Sequence, residues 1–297
     1  MRTQRFGIEI EVTGLTRKRA AQEVAKFFNT EATHRRLSLD EYHIMDGQNR
    51  TWKVVSDSSL RPQKKEDGMI KSADSTYEVE LVSPILTYTD IEDLQEIVRL
   101  LRGAGAFVNK GCGIHIHIDA ANHNPRSLKN LINLMASKEE LTYKALEVDP
   151  SRLRYCKKVN ENLLQTLNKK KPTTLRQLED VWYQNYGSES RRRRYHSSRY
   201  QGLNFHSVFE KGTVEFRLFN STTHAGKIKA YIQFCLAVSH QAIIQKSASA
   251  KRTKTDNEKY TFRCWLLRLG LNGDEFKTCR LHLLVNLTGN AAWRNAA

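Results

Sequence analysis

Pairs of polar side chains recur at a spacing of two residues inside short apolar runs of this sequence. Glu9 and Glu11 lie in the run FGIEIEV. Alternate residues of a β-strand point to the same face, so each such pair would stand side by side over a sheet. Four further runs place polar residues in the same way: Glu78 and Glu80, His115 and His117, Asn204 and His206, and Glu215 and Arg217.

These side chains suit the binding of a hard cation and of phosphate. A single E-x-E pair would most often belong to a half-exposed strand whose polar face meets water. The repeated set favours a shared ion, because clustered carboxylates repel one another without one, and arginine binds phosphate oxygens. Oxygen ligands with one or two imidazoles suit Mg²⁺ or Mn²⁺ better than Zn²⁺.

A nucleotide would have to be held without a glycine-rich loop. Neither G-x-x-x-x-G-K-[ST] nor G-x-G-x-x-G occurs in the sequence. Metal ions and arginine would therefore hold the phosphates. This combination is typical of phosphoryl transfer, in which ions bridge phosphate oxygens and neutralise the developing charge.

Strands and helices must both contribute to the fold that positions these residues. A period of two predicts strands over 6–12, 51–55, 77–82, 113–118, 203–206 and 213–219. Helical periodicity predicts helices over 17–28, 127–147, 174–186 and 227–245, and a capping box at Thr89 and Glu92 predicts another through Leu101. The strands do not alternate with single helices, so we predict an α+β protein with an antiparallel or mixed sheet.

Three polar stretches, 62–75, 187–194 and 247–259, are predicted to be solvated loops. We therefore predict a catalytic domain over 1–246 with a loop or lid at about 187–199. A basic polar linker over 247–259 would come next, and a helical segment over 260–297 would pack on the same domain. The run Arg191–Arg194 is interpreted equally well as a solvated loop or as a clamp for an acidic ligand.

The composition excludes several classes of protein. Of the 297 residues, 39% are hydrophobic, which excludes disorder of the whole chain, and no apolar stretch is long enough to span a membrane. The five cysteines form no C-x-x-C pair, which argues against a disulfide framework and a structural zinc site. The first residues lack a secretory signal, and we expect a cytoplasmic protein.

Six motifs, in their order along the chain, resemble those of the amidoligase family, which comprises ATP-dependent carboxylate–amine ligases related to glutamine synthetase and glutamate–cysteine ligase. The motifs are G-I-E-I-E, D-x-S-L at 57–60, E-L-V-S-P at 80–84, C-G-I-H-I-H, Y-x-x-L-N at 200–204 and V-E-F-R at 214–217. The tail over 264–277 is also similar to the family. Ser58 stands where the family usually has glycine, and Glu78 is not part of the pattern.

The resemblance implies a fold and a reaction. The fold would be a glutamine-synthetase-like antiparallel half-barrel sheet that carries the active site and is flanked by helices. ATP would be bound through two or more Mg²⁺ ions, or Mn²⁺ in their place. The enzyme would convert a substrate carboxylate to an acyl phosphate, which an amine would attack to form an amide.

The resemblance also implies roles for individual residues. Metal ligands would be Glu9, Glu11, Glu80, His115 and Glu215. Arg217 would contact the transferring phosphate, and His117 and Asp57 would complete the catalytic set, with His117 near the acyl substrate. Arg199 and Asn204 would contact the nucleotide or the substrate.

Two other functions stay open from the residues alone. A net charge of +16 favours a nucleic-acid-binding protein, although charge does not explain paired carboxylates on strands. A metal-dependent hydrolase built on the histidines and carboxylates would need no ATP. For the ligase, the partners would be a carboxylate and an amine substrate, and the basic charge would suit an acidic or polyanionic partner.

Overall fold

The computed structural model describes residues 1–36 and 40–293. In that part of the chain the strands are β1 (Phe6–Val12), β2 (Ala32–Arg36), β3 (Asp40–Met45), β4 (Thr51–Val55), β5 (Gln63–Glu66), β6 (Met69–Ser72), β7 (Val79–Val82), β8 (Gly113–Asp119), β9 (Leu203–Asn204) and β10 (Thr213–Asn220).

The α-helices of the same described residues are α1 (Arg17–Phe28), α2 (Ile91–Gly103), α3 (Pro125–Ser137), α4 (Glu139–Ala145), α5 (Glu161–Lys170), α6 (Leu175–Tyr183), α7 (His206–Lys211), α8 (Ala225–Ile244), α9 (Glu258–Arg268) and α10 (Lys277–Leu284).

Eight strands form one large sheet in the order β2-β3-β4-β7-β1-β8-β10-β9. The pairs β2–β3, β3–β4, β4–β7, β1–β7 and β9–β10 are antiparallel. The prediction of an α+β protein with a large antiparallel sheet and helices is therefore confirmed, while the half-barrel form of a glutamine-synthetase-like sheet stays a prediction.

The predicted strands agree with the observed ones where a buried face alternates with a polar one. β1 and β4 have the predicted bounds. The predicted strand over 203–206 is too long, because the Asn204 side chain accepts a hydrogen bond from the His206 amide and His206 begins α7.

The loop predicted over 62–75 is wrong, since it contains the hairpin β5–β6. Asp67 and Gly68 connect the two strands with φ values of 53° and 76°. Positive φ at both central residues is the mark of the tight turn that matches strand twist. The Asp-Gly dipeptide was the available signal for this hairpin.

Two helix predictions also need correction. The capping box before α2 is formed by Thr87 and Asp90 rather than by Thr89 and Glu92. The helix predicted over 127–147 is interrupted at Lys138, which has φ −117° and separates α3 from α4. The Ser137 carbonyl there accepts a hydrogen bond from the Thr253 amide, a contact that the local sequence does not show.

The chain divides into two compact units, of which the second comprises residues 2–116 and 219–229. Its core lies where α1 and α2 pack on each other and α1 covers β3 and β4. Val24, Ile97 and Val54 are fully buried there. The apolar face of α1 thus covers β3 and β4, and α2 packs on α1.

The first unit comprises residue 1 together with 117–218 and 230–297. It contains α9 and α10, the helices predicted for the C-terminal segment. The Trp265 ring meets Phe234 of α8 edge-on at 5.7 Å between ring centroids and also contacts Phe262. Such aromatic contacts hold α8 and α9 together inside this unit. Within the described residues, no helix is both long and apolar enough to cross a membrane.

Candidate functional site

The polar residues singled out in the sequence fall into two groups, one in each unit. In the second unit, Ile8 and Ile10 of β1 are buried on one face, and Glu9 and Glu11 project from the other. Glu11 is itself only 5% exposed. A carboxylate this deeply placed is costly unless polar or charged groups compensate it.

Glu11 lies directly opposite Glu80 in the antiparallel pair of β1 and β7. Like charges in facing positions of a sheet destabilise it. The carboxylates of Glu11 and Glu80 and a ring nitrogen of His115 offer ligand atoms that all lie within 4.8 Å of one another. This donor set, two oxygens and one imidazole, fits a single divalent cation. We refer to Glu11, Glu80 and His115 as the acidic cluster.

Two backbone contacts position Glu11 in the acidic cluster. Its carboxylate accepts a hydrogen bond from the Gly113 amide at the start of β8, and its carbonyl accepts one from the Ser221 hydroxyl. Neither Gly113 nor Ser221 was predicted as part of a site. A glycine before the His pair gave no chemical signal, and Ser221 is distant in sequence.

Glu9 contacts the imidazole of His115 rather than standing apart as a separate carboxylate. Its Oε2 lies 3.0 Å from His115 Nδ1, while His115 Nε2 lies 4.0 Å from Glu11 Oε1. A carboxylate that accepts from one ring nitrogen fixes the tautomer and leaves the other nitrogen as a ligand. Glu9 is thus placed to orient His115, and its predicted role as a metal ligand stays a prediction.

The second group lies in the first unit, around Glu215 of β10. Asn204 faces Glu215 across β9–β10, and its side-chain amide donates to Glu215 Oε2 at 2.6 Å. The Arg217 guanidinium donates to the other carboxylate oxygen of Glu215. Both members of this ion pair are buried, with 4% and 5% exposed surface for Glu215 and Arg217. We refer to Asn204, Glu215 and Arg217 as the arginine cluster.

His117 belongs to the surroundings of the arginine cluster. Its Nδ1 lies 3.0 Å from the Thr213 hydroxyl, and its Nε2 lies 3.9 Å from Glu215 Oε1. Thr213 also hydrogen-bonds Ser207 through the same hydroxyl. Thr213 was not predicted, because a threonine at the start of a strand is ordinary in any sheet.

Asp57 does not contact the acidic cluster through any of its observed hydrogen bonds. Its side chain accepts from the Ser59 amide at 2.8 Å, and its carbonyl accepts from Leu60. The carboxylate therefore stabilises its own turn. Ser58, which stands in the place of the family's glycine, does not adopt a positive φ, so the exchange causes no backbone strain.

Glu78, left open from the sequence, precedes β7 and lies outside the acidic cluster. Its Oε2 accepts a hydrogen bond from the Ser56 hydroxyl at 2.7 Å, and its carbonyl accepts one from Arg17. Glu78 therefore has a structural contact of its own.

Glu189 and His196 have defined contacts within the segment 187–199, for which the sequence predicts a loop or lid. Glu189 accepts hydrogen bonds from the Ser197 amide and hydroxyl, and the hydroxyl contact lowers the pKa of Glu189. His196 is fully buried, and burial lowers the pKa of its imidazole. The Arg199 guanidinium lies over the rings of Tyr195 and Tyr200, at 5.2 and 5.7 Å from their centroids, and its predicted role at the nucleotide stays a prediction.

Both clusters fall within the region that this chain shares with a known protein family. The model of the family described as "putative amidoligase enzyme" matches residues 2–239, which is most of the chain. The chain belongs to this family. The resemblance inferred from the six motifs is therefore confirmed, and every residue of the two clusters lies inside the matched range. Residues 240–297 lie outside it, so the similarity of the tail stays a prediction. A comparison with curated proteins gives no match.

Proposed function

We propose that this amidoligase is an ATP- and Mg²⁺-dependent ligase that joins a carboxylate to an amine. ATP would convert the carboxylate to an acyl phosphate, and the amine would then displace phosphate to give an amide. The observation that carries the proposal is the facing pair Glu11 and Glu80 with His115 beside it, in a chain that belongs to the amidoligase family.

The donor set of the acidic cluster supports a magnesium or manganese ion. Two carboxylates that face each other across a strand pair need a positive charge between them. Glu11, Glu80 and His115 would hold the ion, with Glu9 orienting His115 through Nδ1. A bound Mg²⁺ would neutralise charge on the phosphate oxygens of ATP.

The arginine cluster supports a contact to phosphate. A guanidinium binds phosphate oxygens through two parallel hydrogen bonds, provided that its plane is held in place. Glu215 holds the Arg217 guanidinium, and the Asn204 amide holds Glu215. We assign Arg217 to the transferring phosphoryl group and keep Glu215 as a further candidate metal ligand.

His117 and Asp57 have different standing in the proposal. Thr213 fixes one ring nitrogen of His117, so the imidazole is oriented as a residue near the acyl substrate would need to be. The Asp57 carboxylate accepts a hydrogen bond from the Ser59 amide through one oxygen, Oδ1. A carboxylate has two acceptor oxygens, so Asp57 keeps its proposed place in the catalytic set.

Water exclusion is the remaining requirement, because an acyl phosphate hydrolyses in water. The segment over 187–199 would act as the closing lid. The arginine run 191–194 lies between Glu189, which accepts a hydrogen bond from Ser197, and the buried His196.

The first test should need only the nucleotide, since the carboxylate and amine are not known. We would measure the thermal unfolding midpoint with and without MgATP for the wild type, Glu11→Gln and the control Glu78→Gln. A ligand at about a hundred times its dissociation constant adds roughly 2.7 kcal/mol to the free energy of unfolding. We expect a shift of several degrees in the wild type and the control and none in Glu11→Gln.

Each outcome of this experiment points to a different reaction. A shift lost in Glu11→Gln supports screening carboxylates and amines for ADP release. Absence of any shift with MgATP, together with stabilisation by Zn²⁺ alone, would contradict the ligase and support a metal-dependent hydrolase.

A further inference from the structure

Three arginine and three tyrosine side chains form a continuous series of contacts on the surface of the first unit. It is made by two segments, 154–155 and 194–200. The contacts run in order through Arg154, Tyr155, Tyr200, Arg199, Tyr195 and Arg194. We refer to these six residues as the Arg/Tyr ladder.

The Arg/Tyr ladder consists of four contacts between a guanidinium and a tyrosine ring and one edge-on contact between two rings. The Arg154 guanidinium lies 4.7 Å from the Tyr155 ring centroid, and the rings of Tyr155 and Tyr200 meet at 5.9 Å. Two guanidiniums, from Arg194 and Arg199, lie 5.3 and 5.2 Å from the Tyr195 ring. The five contacts are consecutive, so a bound molecule could meet more than one ring and more than one guanidinium.

The backbone beneath the ladder is held in place. The Lys157 amide donates to the Tyr200 carbonyl at 3.1 Å, and the Gly202 amide donates to the Lys157 carbonyl at 2.9 Å. These bonds join the two segments that carry the ladder. Buried His196, packed against the rings of Tyr183 and Tyr186, anchors the segment between Arg194 and Arg199. These contacts hold the backbone at Tyr200 and at His196, which reduces the entropy lost when a ligand binds beside them.

Charge and exposure show which groups of the ladder are available. Within residues 1–36 and 40–293, no carboxylate forms an ion pair with Arg154, Arg194 or Arg199. By contrast, Arg191 pairs with Asp180 at 2.6 Å and Arg193 with Glu189 at 3.7 Å. Tyr195 keeps 56% of its surface exposed although two guanidiniums lie over it. Guanidiniums and a partly exposed aromatic ring thus meet solvent in the same place.

We propose that the Arg/Tyr ladder is a binding surface for single-stranded nucleic acid. Bases stack on tyrosine rings and on guanidinium planes, and guanidiniums bind the phosphates between them. An acidic peptide would be attracted by the same charge, but aspartate and glutamate side chains carry no ring that could stack on a tyrosine. The combination of tyrosine rings with guanidiniums therefore favours a strand of nucleotides. Binding alone tests this surface, so the proposal does not depend on the ligase chemistry.

The test is the affinity of the full chain for a fluorescently labelled poly-uridine strand of about 20 nucleotides, long enough for one binding site of this class. The ladder variant is Arg154→Gln with Arg194→Gln. Its matched control is Arg191→Gln with Arg193→Gln, which removes the same charge from arginines that already have carboxylate partners. A third variant, Tyr195→Leu, removes the ring and keeps the charge.

We expect the ladder variant to lower the slope of log affinity against log salt by about 1.4, since each phosphate contact of a single strand contributes about 0.7. The matched control should lower it less. Tyr195→Leu should weaken binding by about 5- to 150-fold with an unchanged slope, as expected for the loss of one stacked base. Circular dichroism of each variant checks that these surface changes leave the fold intact.

Three results would overturn the proposal. The first is a lack of binding by the wild type at low salt. The second is an equal decrease of the salt slope in the ladder variant and the matched control, which would mean that the strand is attracted by diffuse positive charge. The third is competition by polyglutamate as strong as that by the oligonucleotide, with Tyr195→Leu unaffected, which would assign the surface to an acidic peptide.

Discussion

Glu80→Gln offers the sharpest test of the acidic cluster. It should stabilise the protein in the absence of a divalent cation and remove most of the stabilisation that Mg²⁺ gives to the wild type. The carboxylate oxygens of Glu11 and Glu80 that could share an ion lie within 4.8 Å of each other. Two unit charges at about 4.8 Å repel by roughly 3.5 kcal/mol at an effective dielectric constant of about 20. Glu80 is half-buried, so solvent screens part of this repulsion, and we expect about 1–3 kcal/mol.

Glutamine keeps the shape of Glu80 and removes its charge. In a chelator such as EDTA at neutral pH, the variant should therefore have a higher free energy of unfolding than the wild type, and its midpoint should rise by a few degrees. Saturating Mg²⁺ should stabilise the wild type and do little for the variant, because one anionic ligand has been lost. The difference between the unfolding midpoints of the variant and the wild type should therefore shrink or change sign in Mg²⁺.

Glu78→Gln is the matched control for this experiment. It removes the same charge two residues away, from a side chain that contacts Ser56 and not the acidic cluster. We expect its midpoints with EDTA and with Mg²⁺ to match those of the wild type. The measurement is differential scanning fluorimetry or calorimetry of the three proteins in both buffers. A Glu80→Gln protein that is less stable in EDTA, yet gains as much from Mg²⁺ as the wild type, would refute the reasoning.

Two further predictions concern the packing of the protein. Burial lowers the pKa of His123 to about 4. The unfolded chain therefore binds a proton at this imidazole below about pH 6.5, whereas the folded chain does not. We expect the free energy of unfolding to be unaffected above pH 6.5 and to fall by up to about 3 kcal/mol towards pH 4. Urea unfolding at several pH values should show a smaller loss of stability towards pH 4 in His123→Asn than in the wild type. The exposed control His224→Gln should lose as much as the wild type. An unchanged loss in His123→Asn would contradict this prediction. Gly202→Ala would place a Cβ in steric overlap with the buried Tyr143 hydroxyl, whereas the control Gly47→Ala meets nothing within 4 Å. Overpacking of this kind costs about 1–3 kcal/mol, and equal denaturation midpoints for the two alanine variants would contradict the clash.

Local pattern predicted much of the scaffold. β1, β4 and α1 begin and end where alternation or helical periodicity begins and ends in the sequence, because each depends on neighbours within a few residues. The hairpin β5–β6 was missed although its Asp-Gly turn was visible. The interruption at Lys138 was not predictable in the same way, since the Ser137 carbonyl beside it accepts a hydrogen bond from distant Thr253.

The sequence by itself determined which side chains share a face of a strand, and the family motifs indicated what those side chains are for. It could not determine which strands are neighbours or in what register they pair. Only the tertiary structure places Glu11 opposite Glu80 and Glu9 against His115. It also shows that the Asp57 carboxylate accepts a hydrogen bond from its own turn and that the Arg199 guanidinium lies over tyrosine rings. The physical reason is that side-chain direction along a strand depends on local geometry, whereas pairing and register are set by contacts between segments far apart in the chain.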